Sequence, residues 1–222
     1  KAYYVDSKPI ISDYEYDQMF DKLEKLEDEL GIKLSNSPTQ TVGYEVVSEL
    51  EKVIHSHPML SLGKTKSTND LVKFSNGRDC IISLKMDGLT CLSSYENGKL
   101  AKAETRGDGY IGENIIHTAK VFDNLPVEIP ITNNFEIEGE AIIKTDDFEK
   151  INEPLIEKAK REATGRGLNE EETRQYVKDN SYANPRNLAS GSVRQLDNRI
   201  TKERHVRFVV WKIPHGFTTF SE

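Results

Sequence analysis

Two cysteines in 222 residues cannot supply the disulfide framework of a small secreted fold. Cys80 and Cys91 lack Cys-x-x-Cys spacing, and both are expected to be reduced, buried small residues of a cytoplasmic protein. The five histidines (His55, His57, His117, His205 and His215) have no metal-ligand spacing, so no zinc is expected. No apolar run is long enough to cross a bilayer as a helix, which argues against a membrane partner. The chain opens on Lys1 with nothing that resembles a signal peptide, and it is expected to begin inside a longer reading frame. Surplus basic charge is also lacking. A net charge of −7 opposes a tight nonspecific grip on nucleic acid, because phosphate affinity rests on Lys and Arg; a local basic face stays possible.

The length suits one or two domains with a real core. Residues 1–37 read as a small helical unit. Ser12 with Glu15 three positions on is a capping-box signature, so a helix should start at about Asp13, and Gly31 supplies its stop. Asp13, Tyr16 and Asp17 share a face near its start, with Tyr3 and Tyr4 just upstream. Rings beside carboxylates can seat a flat cationic ring; equally, the tyrosines can be core and the aspartates can favour the helix dipole. The breaker cluster Asn36–Gln40 marks the boundary to a second unit, residues 38–222.

That second unit turns β-rich from Cys80. Strands are expected over Cys80–Asp87, Thr90–Tyr95, Leu100–Arg106, Phe135–Ile143 and Val206–Ile213, with Asn97-Gly98 as a hairpin turn. A short helix capped by Thr68 or Asn69 is expected to run to about Phe74, and another over about Glu113–Phe122. The glycine-rich loop at Gly107–Gly112 is not a Walker cradle. Residues 145–181 are charged and helical in pattern, broken at Gly165-Arg166-Gly167, and Asn184–Asp197 suggests a turn and a closely packed helix.

The stretch Ser83–Gly88 carries the chemistry. On a strand, Ile82, Leu84 and Met86 face one way, and Ser83, Lys85 and Asp87 the other. Gly88 lets a ligand or another backbone come close. A solvated edge strand with an inert Lys-Asp pair fits the same pattern. If Lys85 is a nucleophile, its amine needs a lowered pKa, and it could then attack an activated phosphorus. Asp87 could orient it or help place a divalent metal; Glu140 could hold a ribose hydroxyl or metal-bound water, and Arg106 offers a planar cation for phosphate. Mg²⁺ suits such a reaction.

Several segments together resemble the bacterial NAD⁺-dependent DNA ligases. They are Tyr3-Tyr4-Val5 with Ser12–Asp17, Ser37–Gln40, Pro58–Leu62, Lys85-Met86-Asp87-Gly88, Thr105–Gly109 with Gly112-Glu113, Gly139-Glu140, and Ala183–Asp197. The resemblance implies an α+β fold. A helical NMN-binding subdomain would be followed by a nucleotidyltransferase (ATP-grasp-like ligase) domain of mostly antiparallel sheets with flanking helices, incomplete at its C-terminal end. It implies that Lys85 attacks NAD⁺ to form AMP-lysine with release of NMN, with Asp87, Arg106 and Glu140 as the other catalytic residues. Tyr3, Tyr4, Asp13, Tyr14, Glu15, Tyr16 and Asp17 would hold the nicotinamide nucleotide. Ser61, Leu62, Ser83, Arg106 and Glu140 would line the adenosine side. Mg²⁺ would assist, and Arg186 and Arg194 would contact nicked double-stranded DNA. This chain departs from the family's pattern in carrying Ser83 where a carboxylate usually precedes the lysine. The family's two later phosphate-binding lysines and its OB-fold, zinc, helix-hairpin-helix and BRCT modules fall outside these residues, and a charged insert at about 153–181 is longer than usual.

Overall fold

The computed structural model describes residues 13–31, 37, 39, 49–60 and 63–217; within the first helix the side chains of Asp13, Tyr14, Tyr16 and Asp17 lie outside the described set. Helix α1 (Asp13–Leu30) starts and stops where the capping box and Gly31 place its ends. It meets the following segment through Asp21, whose carboxylate is paired with Lys64 at 3.1 Å and Lys66 at 3.3 Å. Lys64 also lies over the Phe20 ring at 5.0 Å. The short helix α2 (Thr68–Ser75) is capped one residue earlier than expected, by the Ser67 hydroxyl.

Four antiparallel strands form the main sheet, in the order β3-β2-β5-β6: β2 (Leu89–Glu96), β3 (Lys99–Thr105), β5 (Phe135–Ile142) and β6 (Arg207–His215). The β2–β3 turn is Asn97-Gly98, with φ of 50° and 78°, the left-handed pair that a tight hairpin demands. A second, two-stranded ladder joins β1 (Lys52–Ile54) to β4 (Ile111–Glu113). The sheet has two unlike faces. Cys91, Tyr95, Phe135, Ile137, Ala141 and Phe208 point into the core. Against them pack α3 (Ile116–Ala119) and α6 (Pro185–Val193), whose Leu188, Ala189 and Val193 are fully buried. Asn184 caps α6 by accepting from the Asn187 amide, and Pro185 opens it with its pre-set φ. The opposite face carries Glu136, Glu138 and Glu140 on alternate positions of β5, as the sequence pattern requires.

The charged stretch is a helical hairpin, α4 (Thr145–Gly165) and α5 (Glu170–Asp179), tied by Tyr176 Oη donating to Glu162 at 2.9 Å. Its far end is anchored by Asn152, which both donates to the Tyr182 carbonyl and accepts from its amide. The helix α7 (Asn198–Glu203) leads into β6.

Three expectations are corrected. Residues 80–87 belong to no strand, since no described strand runs beside them. Ile81, Ile82 and Leu84 are 84%, 96% and 83% exposed, so neither side of this stretch faces a core. Cys80 is therefore exposed, and only Cys91 is buried. The helix expected over 113–122 shrinks to α3, because Gly112 and Glu113 are used by β4.

Leu188 is the test of how much the α6–sheet contact matters. Leu188→Ala should lower stability by about 2–5 kcal/mol, read from the urea midpoint, as expected for a fully enclosed leucine whose site cannot collapse.

Candidate active site

Glu140 is the centre of the site. It is 9% exposed, and both oxygens are engaged: the Gly88 amide donates to Oε1 at 3.1 Å and the Thr90 hydroxyl to Oε2 at 3.0 Å. Burial pushes its pKa up; the Thr90 hydrogen bond and the charges of Lys85, Arg186 and Arg106 only partly offset this. Three cations thus lie near enough to act on one buried carboxylate. Arg186, second residue of α6, reaches Asp87 Oδ1 with Nη1 at 3.2 Å. The loop 84–88 is therefore held at Asp87 by α6 and at Gly88 by β5.

Gly88 resolves the alternative that the sequence left open. A Cβ there would lie 2.1 Å from the Ala141 carbonyl oxygen, so the glycine admits another backbone, that of β5. Lys85 and Asp87 are both exposed at the mouth of the site.

Arg106 directly follows β3, and its amide donates to the Thr90 carbonyl at 2.9 Å. The glycine-rich loop after it is a compact turn: Asp108 Oδ1 accepts from the Tyr110 and Ile111 amides, with Gly107 and Gly109 at φ of 56° and 96°. Sequence reasoning missed the residue that holds this turn. His55, on the segment after β1, contacts Glu104 through Nδ1 at 2.8 Å and the Arg106 carbonyl through Nε2 at 3.0 Å. Both partners accept, so both ring nitrogens must donate, which defines an imidazolium. Burial alone would lower the pKa of His55, but the Glu104 and Arg106 hydrogen bonds outweigh it and raise the value. No motif or periodicity in the sequence marked His55 for this role.

The structure brings together Lys85, Asp87, Arg106, Glu140 and Arg186. Ser83 is exposed, two positions before Lys85, and Glu15 is exposed on α1. Arg194 sits elsewhere: its guanidinium is turned inward to Glu113 at 2.8 Å and Ser190 at 3.1 Å, and burial pulls its pKa down to about 10. Tyr3, Tyr4, Ser61 and Leu62 fall outside the described residues, as do the side chains of Asp13, Tyr14, Tyr16 and Asp17.

The antiparallel α+β architecture, with a lysine and two arginines near a buried carboxylate, is consistent with a nucleotidyltransferase domain. The description "NAD-dependent DNA ligase adenylation domain" matches residues 47–167 and 161–221, and "DNA ligase-like, N-terminal NAD+-binding domain" matches residues 1–43. The chain belongs to the NAD-dependent DNA ligase family. Among its relatives, a DNA ligase of Lachnoclostridium phytofermentans is 44% identical over 96% of this chain and 30% of its own length. One of Ruminiclostridium cellulolyticum is 46% identical over 94% of this chain and 29% of its own. One of Campylobacter lari is 39% identical over the whole chain and 32% of its own length. The chain thus spans about a third of the curated relatives it matches.

The charged state of His55 gives a signed pH dependence. Its folded pKa is raised, so its contribution to stability is complete below the unfolded value of 6.5 and is lost as pH rises through the folded pKa. The urea midpoint of the wild type should exceed that of His55→Gln at pH 6, and the gap should narrow as pH is raised above neutrality.

Proposed function

We propose that this chain is the adenylation region of an NAD⁺-dependent DNA ligase, with Lys85 as the site of covalent AMP attachment. Lys85 Nζ attacks the α-phosphorus of NAD⁺. A P–N bond forms, the bond to the bridging oxygen breaks, NMN leaves with the electron pair, and the amine gives up a proton. The observation that carries this reading is the convergence of Lys85, Arg106 and Arg186 on the Glu140 pocket. Guanidinium groups match phosphate oxygens in shape and charge, and they favour the extra negative charge that gathers at phosphorus during attack. Glu140, already anchored by Gly88 and Thr90, holds the nucleoside side through a hydroxyl.

Mg²⁺ fits this donor set at Asp87, whose side chain is 67% exposed. That ion typically takes one or two carboxylates plus phosphate oxygens and keeps several waters. When bound, it neutralises phosphate charge during the transfer. Residues 1–37 form the NMN-binding subdomain, in which Tyr3, Tyr4, Asp13, Tyr14, Glu15, Tyr16 and Asp17 bind the leaving nucleotide; 38–222 form the adenylation domain. Ser61, Leu62 and Ser83 line the adenosine side, Ser83 as a neutral hydrogen-bonding group.

AMP then passes to the 5′-phosphate of a DNA nick and is displaced by the 3′-hydroxyl, the sealing step of replication and repair in the cytoplasm. Arg186 serves the phosphate side directly, whereas Arg194 supports it by fixing α6 to β4 through Glu113. Bound through so few cations, nicked DNA is held weakly by this chain. A second reading is a reduced homologue that binds NAD⁺ or NMN without ligation, and it is favoured by Ser83 in place of a carboxylate. No helix of the described residues is long and apolar enough to cross a membrane.

Intact-mass measurement after incubation with NAD⁺ and Mg²⁺ separates the readings. One AMP adduct is expected, absent in Lys85→Ala and not formed from ATP. NMN binding without any adduct would favour the second reading. Tyr16→Ala should slow adduct formation from NAD⁺ about tenfold, the loss expected when a desolvated ring–cation contact is removed, and Asp17→Ala should slow it by removing a carboxylate beside the cationic ring. An unchanged rate would overturn their role.

A further inference from the structure

Segment 55–59 crosses the polar face of the sheet as a strap, and at its midpoint it meets the far end of β5. His57 Nδ1 lies 3.7 Å from Glu136 Oε2, and His215 Nε2, from the end of β6, lies 3.6 Å from the same oxygen. One ligand atom from each of the three residues lies within 4.8 Å of the others. The two histidine rings are edge to face, 5.2 Å apart. The nitrogen–oxygen separations are too long for hydrogen bonds, which would draw such atoms to about 2.7–3.2 Å. They are close to what an ion needs: ligands at 2.0–2.1 Å in a tetrahedron stand about 3.3–3.4 Å apart.

We propose that His57, Glu136 and His215 form a binding site for a divalent transition-metal ion of the zinc type. Two imidazoles and one carboxylate suit zinc, cobalt or nickel better than magnesium, which prefers oxygen. The surroundings are those of a built site. His57 Nε2 is 2.7 Å from Glu138 Oε1, a carboxylate that orients the ring and leaves Nδ1 for the ion, which on binding displaces any proton Nδ1 shares with Ser56. Lys212 holds the same Glu138 oxygen at 2.9 Å. Ser56 Oγ lies 3.1 Å from Glu136 Oε1, 2.9 Å from Oε2 and 3.0 Å from His57 Nδ1, and Ser94 donates to Oε1 at 3.4 Å. Three protein ligands leave a fourth position for water or the Ser56 hydroxyl. The site is separate from the Lys85 pocket: Glu136 and Glu140 are four residues apart along β5, roughly 13 Å at strand rise. An ion there ties the strap to both β5 and β6.

No sequence signal marked it, because the spacing of the histidines matches no metal motif. The pairing of β6 with β5 sets His215 opposite Glu136, and the strap adds His57.

The test is Co²⁺ and Zn²⁺ binding by the metal-free chain in a Cys80→Ser background, which removes the exposed thiol. Visible absorption should show one Co²⁺ per chain with low-coordinate d–d bands, and Zn²⁺ should displace it. His215→Ala and Glu136→Gln should each abolish the bands, and Glu138→Gln should weaken binding about 10–100-fold with the stoichiometry unchanged. Circular dichroism in EDTA checks that each variant is folded. Equal binding by the wild type and the His57→Ala/His215→Ala double variant would overturn the proposal, as would the absence of saturable binding.

Discussion

The contact between the Gly88 amide and the Glu140 carboxylate is the one on which the arrangement around Lys85 depends. Residues 79–87 have no strand beside them among the described residues, so no ladder positions the lysine. What positions it is the end of the stretch, where Gly88 lies against the β5 backbone too closely for any Cβ and donates to Glu140. Burying that carboxylate is unfavourable in itself. Hydrogen bonds from Gly88 and Thr90, and the fields of Lys85, Arg106 and Arg186, offset that cost in part.

The same logic runs along β5. Glu136, Glu138 and Glu140 stand on one face, and like charges so placed destabilise a sheet unless each is separately answered. Each is: Glu140 by the Lys85 pocket, Glu138 by His57 and Lys212, Glu136 by Ser56 and Ser94 with two histidines near. The opposite face of the strand is wholly apolar and packs on α6. One strand therefore anchors both the core and the polar site, and its alternation keeps the two apart.

Much of the frame was legible. Asn97-Gly98, the Ser12–Glu15 box, Asn184-Pro185 and the break at Gly165–Gly167 are local signals, and the elements they bound were found within a residue or two. The Glu136–Glu138–Glu140 alternation also read correctly. What failed was any property that needs a partner from far along the chain. The 80–87 stretch has the alternation of a strand but no neighbour to pair with. Cys80 follows it into solvent, and β1 and β4 are too short to carry a pattern. The contacts of His55 with Glu104, His57 with Glu138 and Arg186 with Asp87 join residues with no local reason to meet. The ordered motifs named the family, but not which arginine faces the pocket: Arg186 reaches Asp87, while Arg194 supports Glu113 from within.

The strap also sets an order of cost in assembling the molecule. The β2–β3 hairpin closes over two residues, whereas His57 and Glu138 are separated by 81 positions. Closing so long a loop costs entropy that a short turn does not. The first part of the strap holds the sheet by polar contacts, through His55, Ser56 and His57, whereas Met59 at its end is buried; polar contacts return little net free energy once water is counted. Lifting the strap leaves the apolar side of the sheet untouched. A peeling of residues 55–57 with Met59 still seated would therefore admit water to a row of carboxylates while the core stays dry.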